Sequence, residues 1–456
     1  MATESHDVVI LGGGNAAMGF TGPARAAGLS VAMIEPGELG GTCPNRGCTP
    51  KKVLVAAAHA LHEIERAGEH CISVAKPSLD WAALIDREKA MIKDIPARLE
   101  KSMSSRGVTL IRGRAAFTGP NEVAVDGRRI AAKHIVIATG STPRKLPIDG
   151  AEHLITSDDV LSERTLPREI VFIGGGVIAM EFAHVYARAG AKVTILEVLP
   201  RLLGEMDVDA VAEIVKESAR IGIDVRTEVK IKRIAPADGR LRVTFEQGGK
   251  EQVLDADRVV NGGGRVADVD ALDLAAGQVK EERGRIAVDE HLRSVSNPSV
   301  HVCGDALWSS PQLSPIATYE GGIVGRNIVD IVQHGGPRER PDYASIPSCV
   351  YTVPALASVG LTAAKAKEQG RRMKVHTNDL SAWLSSRTYG ETAAWSRVLV
   401  EEGSDRILGA QIVGHAGEEL IHIFALAMQH GITATQLRQT VYGFPTFSAD
   451  IKSMVG

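Results

Sequence analysis

Two stretches of sequence decide the fold: DVVILGGGNAAMGFTGPARAAGLSVAMIE at residues 7–35 and EIVFIGGGVIAMEFAHVYARAGAKVTILE at residues 169–197. The two stretches align without a gap. The positions they share are Gly12 with Gly174, Gly14 with Gly176, Ala17 with Ala179, Gly28 with Gly190, and Glu35 with Glu197. This correspondence indicates duplication of one structural unit rather than chance spacing.

Each copy has the pattern of a strand, a glycine turn, a helix and a second strand. A short β-branched run precedes the glycines, an alanine-rich run follows them, and a second β-run ends on an acid. This is the order of a βαβ unit that binds a dinucleotide. Tight packing alone would explain the glycines, but it would not explain why an acid follows them at the same sequence distance in both copies. The sequence therefore predicts sites for two different dinucleotides.

The glycines have a definite physical role in such a unit. Gly12 and Gly174 permit the tight turn, and Gly14 and Gly176 remove a side chain where the backbone approaches a pyrophosphate. The following helix supplies N–H donors and a partial positive charge. The acid at the end of the second strand is expected to accept a hydrogen bond from a ribose hydroxyl.

Composition excludes several classes of protein. The chain has 456 residues, enough for about three domains, and its 44% hydrophobic and 23% charged residues are typical of globular proteins. A formal net charge of −3 offers no basic excess for nucleic acid. The first residues, MATESHDVVILGGG, lack the pattern of a signal peptide, and no stretch is apolar enough for a membrane helix. We expect a cytoplasmic protein that binds neither nucleic acid nor membranes.

The expected fold class is α/β, with two Rossmann-like dinucleotide-binding domains and a C-terminal α+β domain. The β-runs HIVIATGS (134–141) and RVVNGGGR (258–265) are predicted to be returning strands of the two nucleotide-binding domains. The run SNPSVHVCGDAL (296–307) is predicted to contain a strand that rejoins the first domain. Beyond a linker at 334–348, strands are predicted at 357–361, 397–401 and 408–413, and a helix at 418–430.

The second signal is GGTCPNRGCTPKK at residues 40–52. Five cysteines, an odd number spread unevenly, do not suit a secreted disulfide framework. A disulfide between Cys43 and Cys48 would close a loop too short to stabilise the fold by more than about 2 kcal/mol, so the pair is more useful as a redox element. A helix N-terminus and Lys51 would stabilise a thiolate there. A zinc site needs two more ligands in a paired arrangement, which the other cysteines do not supply; no metal is predicted.

This segment resembles the redox-active disulfide of the class I FAD-dependent pyridine nucleotide-disulfide oxidoreductases, the family of glutathione reductase, dihydrolipoamide dehydrogenase and mercuric reductase. The resemblance covers nearly the whole chain, including both glycine turns, ATGS, CGDA and LSPIA. It implies a homodimer and four segments: an FAD-binding domain (1–146), an NAD(P)-binding domain (147–268), the returning part of the FAD domain (269–338) and an interface domain (339–456).

Carried over residue by residue, the resemblance implies catalytic roles for Cys43, Cys48, Lys51 and Glu181. The residues expected to contact FAD are Gly12, Gly14, Asn15, Ala16, Glu35, Thr42, Lys51, Ala115, Thr139, Gly140, Asp305 and Ser314. Those expected to contact NAD(P) are Gly174, Gly175, Gly176, Ile178, Glu181, Glu197 and Gly264. A pair formed by Lys51 and Glu181 beside the flavin would stabilise negative charge on its reduced form.

The implied activity is the reduction of a small disulfide by NAD(P)H. Hydride passes to FAD, electrons pass to Cys48 as the charge-transfer thiol, and Cys43 attacks the substrate as the interchange thiol. NADH is favoured over NADPH, because Glu197 would accept from a free 2′-hydroxyl and repel a 2′-phosphate, and Val198 and Leu199 follow it. Two features point the other way: Ala179 resembles NADP-dependent relatives, and Arg201 is near enough in sequence to fold back.

The C-terminal segment VYGFPTFSAD (441–450) departs from the family pattern. Phe444 and Ala449 stand where the glutathione and lipoamide enzymes carry a histidine and a glutamate as acid–base pair. Tyr442 and Asp450 are the candidate substitutes, although a packed aromatic residue and a helix-start residue are the simpler interpretations. The histidines of this domain, including His415, are interpreted as structural.

Two alternatives to disulfide reduction stay open at this point. The first is a mercuric-reductase-like enzyme, or one that reduces a metal ion, a quinone or oxygen, and the second is a slowly turning over redox sensor. The chain has no cysteine beyond Cys349, so it lacks the C-terminal cysteine pair of the mercury enzyme. No motif encodes a particular disulfide substrate.

Overall fold

A computed structural model describes residues 4–456. The helices are α1 Asn15–Ala26, α2 Thr42–Arg46, α3 Cys48–Glu65, α4 Trp81–Ile92, α5 Ile95–Ser105, α6 Ser157–Val160, α7 Val177–Ala189, α8 Val208–Arg220, α9 Ser314–His334, α10 Ala363–Glu368, α11 Leu384–Tyr389, α12 Gly417–His430, α13 Ala434–Gln439 and α14 Ile451–Met454.

The strands are β1 Glu4–Leu11, β2 Val31–Glu35, β3 Thr109–Arg112, β4 Ala115–Gly119, β5 Glu122–Val125, β6 Arg128–Ile137, β7 Ser141–Pro143, β8 Glu169–Ile173, β9 Lys192–Leu196, β10 Asp224–Arg226, β11 Lys230–Ala237, β12 Arg240–Gln247, β13 Lys250–Ala256, β14 Arg258–Asn261, β15 Arg265–Ala267, β16 Glu281–Glu282, β17 Arg285–Ile286, β18 Val300–Val302, β19 Pro347–Val350, β20 Ala355–Gly360, β21 Met373–Asp379, β22 Trp395–Glu401 and β23 Ile407–Gly414.

These elements form two compact units. Unit 1 contains the described residues up to Lys51 together with Arg87–Arg144 and Arg265–Asp342. Unit 2 contains Lys52–Asp86, Lys145–Gly264 and Tyr343–Gly456. The arrangement is mixed α/β, as expected; the boundaries of the four predicted segments stay a prediction. Within residues 4–456, no helix is both long and apolar enough to cross a membrane.

Unit 1 is built on a seven-stranded sheet in the order β3-β2-β1-β6-β5-β4, with β18 also paired to β6. β1 pairs in parallel with β2 and β6, and β18 pairs in parallel with β6. Leu11 lies opposite both Ile34 and Ile137, and Ile137 lies opposite Val302. The carboxyl ends of four strands therefore meet at one edge, where open α/β sheets bind ligands. The strands predicted within 134–141 and 296–307 are confirmed.

Helices α1 and α9 approach each other closely in unit 1. A Cβ added at Gly19 would overlap the backbone of Thr318, and one added at Gly321 would overlap the backbone of Ala16. Glycine at both positions lets the two backbones touch without intervening side chains. This contact brings the first residues of the two helices to the same edge of the sheet.

Unit 2 contains a parallel sheet in the order β10-β9-β8-β14 and an antiparallel sheet in the order β19-β20-β23-β22-β21. In the parallel sheet Ile173 lies opposite both Leu196 and Asn261, so the second βαβ copy has the geometry of the first. The C-terminal sheet carries α12, which packs on β20 and β23. The strands and helix predicted for the C-terminal domain are confirmed, with ends shifted by a few residues.

Candidate active site

The first glycine turn follows β1. Gly12 has φ of +107°, and a Cβ there would overlap the carbonyl oxygen of Ala138, so glycine is required by both conformation and space. Gly14 caps the N-terminus of α1 and offers no side-chain acceptor to the first-turn N–H groups. Those donors point toward the edge where the four parallel strands end.

Glu35 holds this turn in shape. Its Oε2 accepts from the N–H of Gly13 at 2.7 Å and its Oε1 accepts from the N–H of Gly37 at 2.8 Å. Sequence reasoning assigned Glu35 to a ribose hydroxyl and missed this structural role, although the repeated spacing between acid and glycines was a signal for it. A carboxylate has about four acceptor positions, so the predicted ribose contact is compatible with these two bonds.

The cysteine segment passes directly beside the same turn. Gly40 donates its N–H to the carbonyl oxygen of Gly13 at 2.8 Å, and both Gly40 and Gly41 have positive φ, +108° and +65°. A Cβ on Gly41 would lie 3.0 Å from the Cα of Gly14. The two consecutive glycines therefore bring α2, with Thr42 and Cys43, onto the glycine turn.

Cys43 and Cys48 lie close enough to form a hydrogen bond. A hydrogen bond from Cys48 is the largest influence that lowers the pKa of Cys43 to about 6. Burial opposes this shift, and hydrogen bonds from Ser314, Asn15 and Thr49 add to it. Near neutral pH the Cys43 sulfur is therefore a thiolate, the nucleophilic form.

The first residues of α1 and α9 complete the environment of Cys43. The Asn15 side-chain amide donates to the hydroxyl of Ser314 and lies 3.5 Å from its carbonyl oxygen. These residues are far apart in sequence and meet because the two helices pack backbone to backbone. The structure thus brings together four predicted site residues: Asn15, Cys43, Cys48 and Ser314.

Asp305 lies just beyond β18, in a short 3-10 helix, Gly304–Ala306. Its carboxylate accepts from the hydroxyl of Ser141 at 3.1 Å, and Arg265 donates to that same hydroxyl at 2.9 Å. Burial raises the pKa of Asp305, and the hydrogen bond from Ser141 opposes the shift. Asp305 is therefore held at the sheet edge by a fixed hydroxyl.

Three further predicted FAD residues of unit 1 are Thr139, Gly140 and Ala115. Thr139 and Gly140 follow β6, and the carbonyl of Gly140 accepts from the N–H of Asp268 at 3.0 Å. Ala115 begins β4, shortly after Gly113, whose N–H donates to the Glu35 carbonyl at 3.4 Å.

These residues fit FAD. The α1 N-terminus suits a pyrophosphate, a backbone cradle at Gly14 leaves room for it, and Asp305 and Ser314 lie on the segments that flank it. Among residues 4–456 no group of three or more His, Cys, Asp or Glu side chains could hold a metal ion.

The second glycine turn repeats the first in unit 2. Gly174 has φ of +102°, and a Cβ there would overlap the carbonyl oxygen of Gly262. Glu197 accepts from the N–H groups of Gly175 and Leu199, as Glu35 does from its two glycines. Glu197 is only 7% exposed.

The other predicted NAD(P) residues lie near this turn. Gly176 caps α7 as Gly14 caps α1, and Ile178 lies in the first turn of α7. Gly264 follows β14 and has φ of +92°.

Arg201 is held by its own turn. Its guanidinium donates to the carbonyl oxygens of Met206, at 3.0 Å, and Gly204. Val198 and Leu199, in contrast, are exposed at the end of β9. Arg201, which the sequence analysis considered as a partner for a 2′-phosphate, thus already has two hydrogen-bond acceptors.

Glu181 is buried in α7 and its Oε1 accepts from the N–H of Tyr351 at 2.9 Å. Lys51 is also buried. The two residues belong to different compact units, and their pairing stays a prediction.

In the C-terminal segment Phe444 is 79% exposed. Tyr442 packs against the core of the C-terminal sheet, with Lys452 5.8 Å from its ring centre. Asp450 accepts from the hydroxyl of Ser385, and burial raises its pKa.

His415 lies close to this segment and has a fixed environment. Its ring stacks on Tyr389 and on Phe447, with ring centres 5.0 and 4.7 Å away. The buried carboxylate of Glu391 is 3.1 Å from its Nδ1. The structural interpretation of this histidine stays a prediction.

Comparison with known proteins agrees with this geometry. A sequence model described as "Pyridine nucleotide-disulphide oxidoreductase" matches residues 6–321, and the model of that family's dimerisation domain matches residues 346–455. Dihydrolipoyl dehydrogenase of Chlamydia pneumoniae is 30% identical over 98% of this chain and 95% of its own length. Mercuric reductase of Bacillus cereus is 30% identical over 99% of this chain and 71% of its own length.

Among solved structures, a Cu(II) complex of the HOCl-induced flavoprotein disulfide reductase RclA from Escherichia coli superposes with a TM-score of 0.87 at 25% identity. The match covers 100% of this chain and 99% of that one. The chain belongs to the flavin-dependent pyridine nucleotide-disulphide oxidoreductases, with two Rossmann-like nucleotide-binding domains and a C-terminal dimerisation domain.

Proposed function

We propose that this protein uses NADH to reduce a small disulfide through FAD and the Cys43–Cys48 pair. One observation carries the proposal: a thiol whose pKa is lowered to about 6 lies beside a second cysteine, against the glycine turn suited to FAD. A structural cysteine would gain nothing from such a lowered pKa, whereas a nucleophile needs it.

FAD, when bound, supplies two-electron transfer between the nicotinamide and the protein disulfide. The chain's own residues then carry the exchange. The Cys43 thiolate attacks one sulfur of the substrate disulfide, forms a mixed disulfide and expels a thiolate that takes up a proton. Cys48 next loses its proton and attacks the Cys43 sulfur, which re-forms the Cys43–Cys48 disulfide and releases the second thiol.

The lowered pKa of Cys43 bears on the missing histidine. Since hydrogen bonds from Cys48, Ser314 and Asn15 already favour the thiolate, the attack needs no base to remove a proton from Cys43 near neutral pH. The leaving thiolate has no histidine as a proton donor here. We therefore expect substrates whose thiols have low pKa values, because such thiols leave without protonation.

NADH is the proposed reductant. The environment of Arg201 supports it, because both of its observed acceptors are backbone carbonyls of its own turn and a 2′-phosphate would have to displace them. Glu197 adds negative charge at the end of β9, which disfavours a phosphate.

A homodimer is proposed from the matched dimerisation domain, in line with the resemblance. A cytoplasmic location is proposed from cysteine usage, because five cysteines, an odd number spread unevenly, do not suit a secreted disulfide framework.

The deciding experiment is an anaerobic titration of the purified flavoprotein with NADH, and in parallel with NADPH, followed by visible absorption. Two electrons should produce a long-wavelength charge-transfer band from Cys48 to the flavin, when the proton shared in the hydrogen bond between Cys43 and Cys48 lies on Cys43. Bleaching of the flavin without that band would remove the cysteine pair from the electron path and contradict the proposal.

A second candidate, reduction of a soft metal ion, is favoured by the exposed Phe444 in place of the histidine. A thiolate beside a second cysteine is also a ligand for soft cations. Supplying Hg(II) or Cu(II) instead of a disulfide in the same steady-state assay separates the two: turnover with the metal ion and none with disulfides would favour the second candidate.

A further inference from the structure

One buried carboxylate of unit 1 has no role in the site described above. Glu320 lies in α9, the helix that begins at Ser314, and is 0% exposed. Its Oε2 accepts from the N–H of Gly304 at 2.7 Å, and its Oε1 accepts from the hydroxyl of Ser310 at 2.6 Å. Both donors belong to the loop that leads from β18 to α9.

A carboxylate this deeply buried is costly unless hydrogen bonds compensate for the lost water. The negative charge acts on its surroundings: burial first, and then the charge of Glu320, raises the pKa of Cys303. Cys303 therefore stays a neutral thiol, and the N–H of Gly304 and the hydroxyl of Ser310 are the donors that compensate the burial of Glu320.

The clamped loop carries a proposed FAD residue at each end. Asp305 directly follows Gly304, and Ser314 begins α9. Gly304 has φ of +67°, and a Cβ there would press on Ala16 and Ala317 at 3.0 and 3.2 Å, so the loop starts in a crowded turn. By binding the loop near its start and again at Ser310, one carboxylate fixes the loop to the helix.

We propose that Glu320 is a positioning residue of the FAD site, which sets the spacing between Asp305 and Ser314 by clamping Gly304 and Ser310 to α9. The inference rests on the proposed assignment of Asp305 and Ser314 to FAD. Glutamine cannot replace the clamp, because its single carbonyl oxygen accepts for only one of the two donors and its amino group faces the other.

The test compares the apoproteins of the wild type and of Glu320→Gln. FAD is titrated back, and its dissociation constant is measured from the change in flavin fluorescence. We expect the constant to rise about tenfold, as for the loss of one hydrogen bond that leaves a buried polar group without its partner. The NADH dissociation constant should stay unchanged, because its proposed site is the second glycine turn. The visible absorption bands of the bound flavin should shift.

Glu339→Gln is the matched control. Glu339 is also a carboxylate bound to α9, through Arg326 at 2.7 Å, but this pair is largely exposed and lies outside the loop. Its FAD dissociation constant should equal that of the wild type. Ser310→Ala removes one of the two bonds and should raise the constant about threefold, with little further effect in the Glu320→Gln background.

Two outcomes overturn the inference. If Glu320→Gln lowers the unfolding temperature of the apoprotein but leaves the FAD dissociation constant unchanged, Glu320 only stabilises the fold. If Glu320→Gln does not fold, Ser310→Ala decides, and an unchanged constant in that variant contradicts the clamp. Asp305→Ala distinguishes failure of the FAD-site assignment from failure of the positioning role. If Asp305→Ala binds FAD with wild-type affinity, the site assignment is wrong. If Asp305→Ala binds FAD weakly but Glu320→Gln binds it normally, only the positioning role is wrong.

Discussion

The two glycine turns share a backbone and differ in what lies beside them. In both, a glycine with φ above +100° packs against a neighbouring strand end, and a glutamate accepts from the middle glycine and from a backbone N–H two residues beyond the glutamate. Beside Gly14, however, the chain brings Gly41 and the cysteine segment into contact. An added Cβ would have its nearest neighbour at 3.9 Å at both Gly14 and Gly176, but at Gly14 this neighbour is Gly41 and at Gly176 it is the carbonyl oxygen of Gly262. Val198 and Leu199, beside the second turn, are exposed.

This difference is consistent with the proposal that one duplicated unit serves two roles. A turn enclosed by the cysteine segment suits a cofactor that stays bound and exchanges electrons with the protein. A turn with an open approach suits a coenzyme that must enter and leave in each cycle. Under the proposed assignment, the shared frame supplies dinucleotide affinity in both turns, and the added segments decide what happens to the ligand.

The largest expected effect is on disulfide turnover, and it comes from replacing Cys48 in the cysteine segment, which lies beside the first turn only. Cys48→Ser should lower disulfide turnover by about three orders of magnitude, because the exchange cannot be completed without the second sulfur. Oxidation of NADH with ferricyanide as acceptor should persist, since that path needs only the two nucleotide sites. Steady-state assays with both acceptors measure the split. Cys71→Ser, which changes an exposed cysteine outside the pair, serves as control; full disulfide turnover in Cys48→Ser would end the proposal.

The second prediction breaks each turn separately. Gly12→Ala and Gly174→Ala both place a Cβ against a backbone carbonyl at positive φ, which costs about 2 kcal/mol or more. Gly12→Ala should lose FAD, while Gly174→Ala should keep FAD and raise the KM for NADH about thirtyfold. Flavin content per chain and NADH kinetics are the measurements.

Gly28→Ala is the control for strain alone, because φ there is +80° and nothing lies within 4 Å of the added Cβ. Gly28→Ala should change neither the flavin content per chain nor the KM for NADH by much. Loss of FAD from Gly174→Ala would contradict the assignment of the two turns to different ligands.

Much of this frame could be predicted from sequence, because local patterns determine it. The strand, glycine turn and acid recur in both copies, and the left-handed conformations at Gly12 and Gly174 follow from the turn itself. The hydrogen bonds by which Glu35 and Glu197 hold the two turns are compatible with the same repeat, but a glutamate at this position also suits a ribose hydroxyl, so the residue type alone does not distinguish the two roles.

The rest depends on contacts between distant parts of the chain. Asn15 meets Ser314, and Glu320 meets Gly304, only because α1 and α9 pack through glycines and β18 returns to β6. No local pattern predicts which buried carboxylate will bind a loop. The low pKa of Cys43 is only partly of this kind, because its largest cause is the nearby Cys48, to which Ser314 and Asn15 add through folding.

The third prediction concerns the pH dependence of Cys43, which lies beside the first turn. Because the pKa of Cys43 is lowered to about 6, its thiolate is present above that pH and is lost as the pH falls through it. The rate of alkylation of the reduced enzyme by iodoacetamide should be level above pH 7 and fall about tenfold per pH unit below 6. Ser314→Ala, which removes one stabilising hydrogen bond, should move the midpoint upward. A wild-type midpoint above 8 would be inconsistent with this environment.

The smallest effect concerns the open turn and its choice of coenzyme. Arg201→Ala should change kcat/KM for NADPH by less than about twofold, because the guanidinium is bound to the carbonyls of Met206 and Gly204 and does not serve a phosphate. Val198→Arg, at an exposed position directly after Glu197, should raise kcat/KM for NADPH about fivefold through pairing with the 2′-phosphate. Val208→Arg is the matched control, since both valines are 58% exposed. A large loss of NADPH activity in Arg201→Ala would mean that the arginine leaves its turn to bind the phosphate, and the open turn would then be adapted to NADPH rather than to NADH.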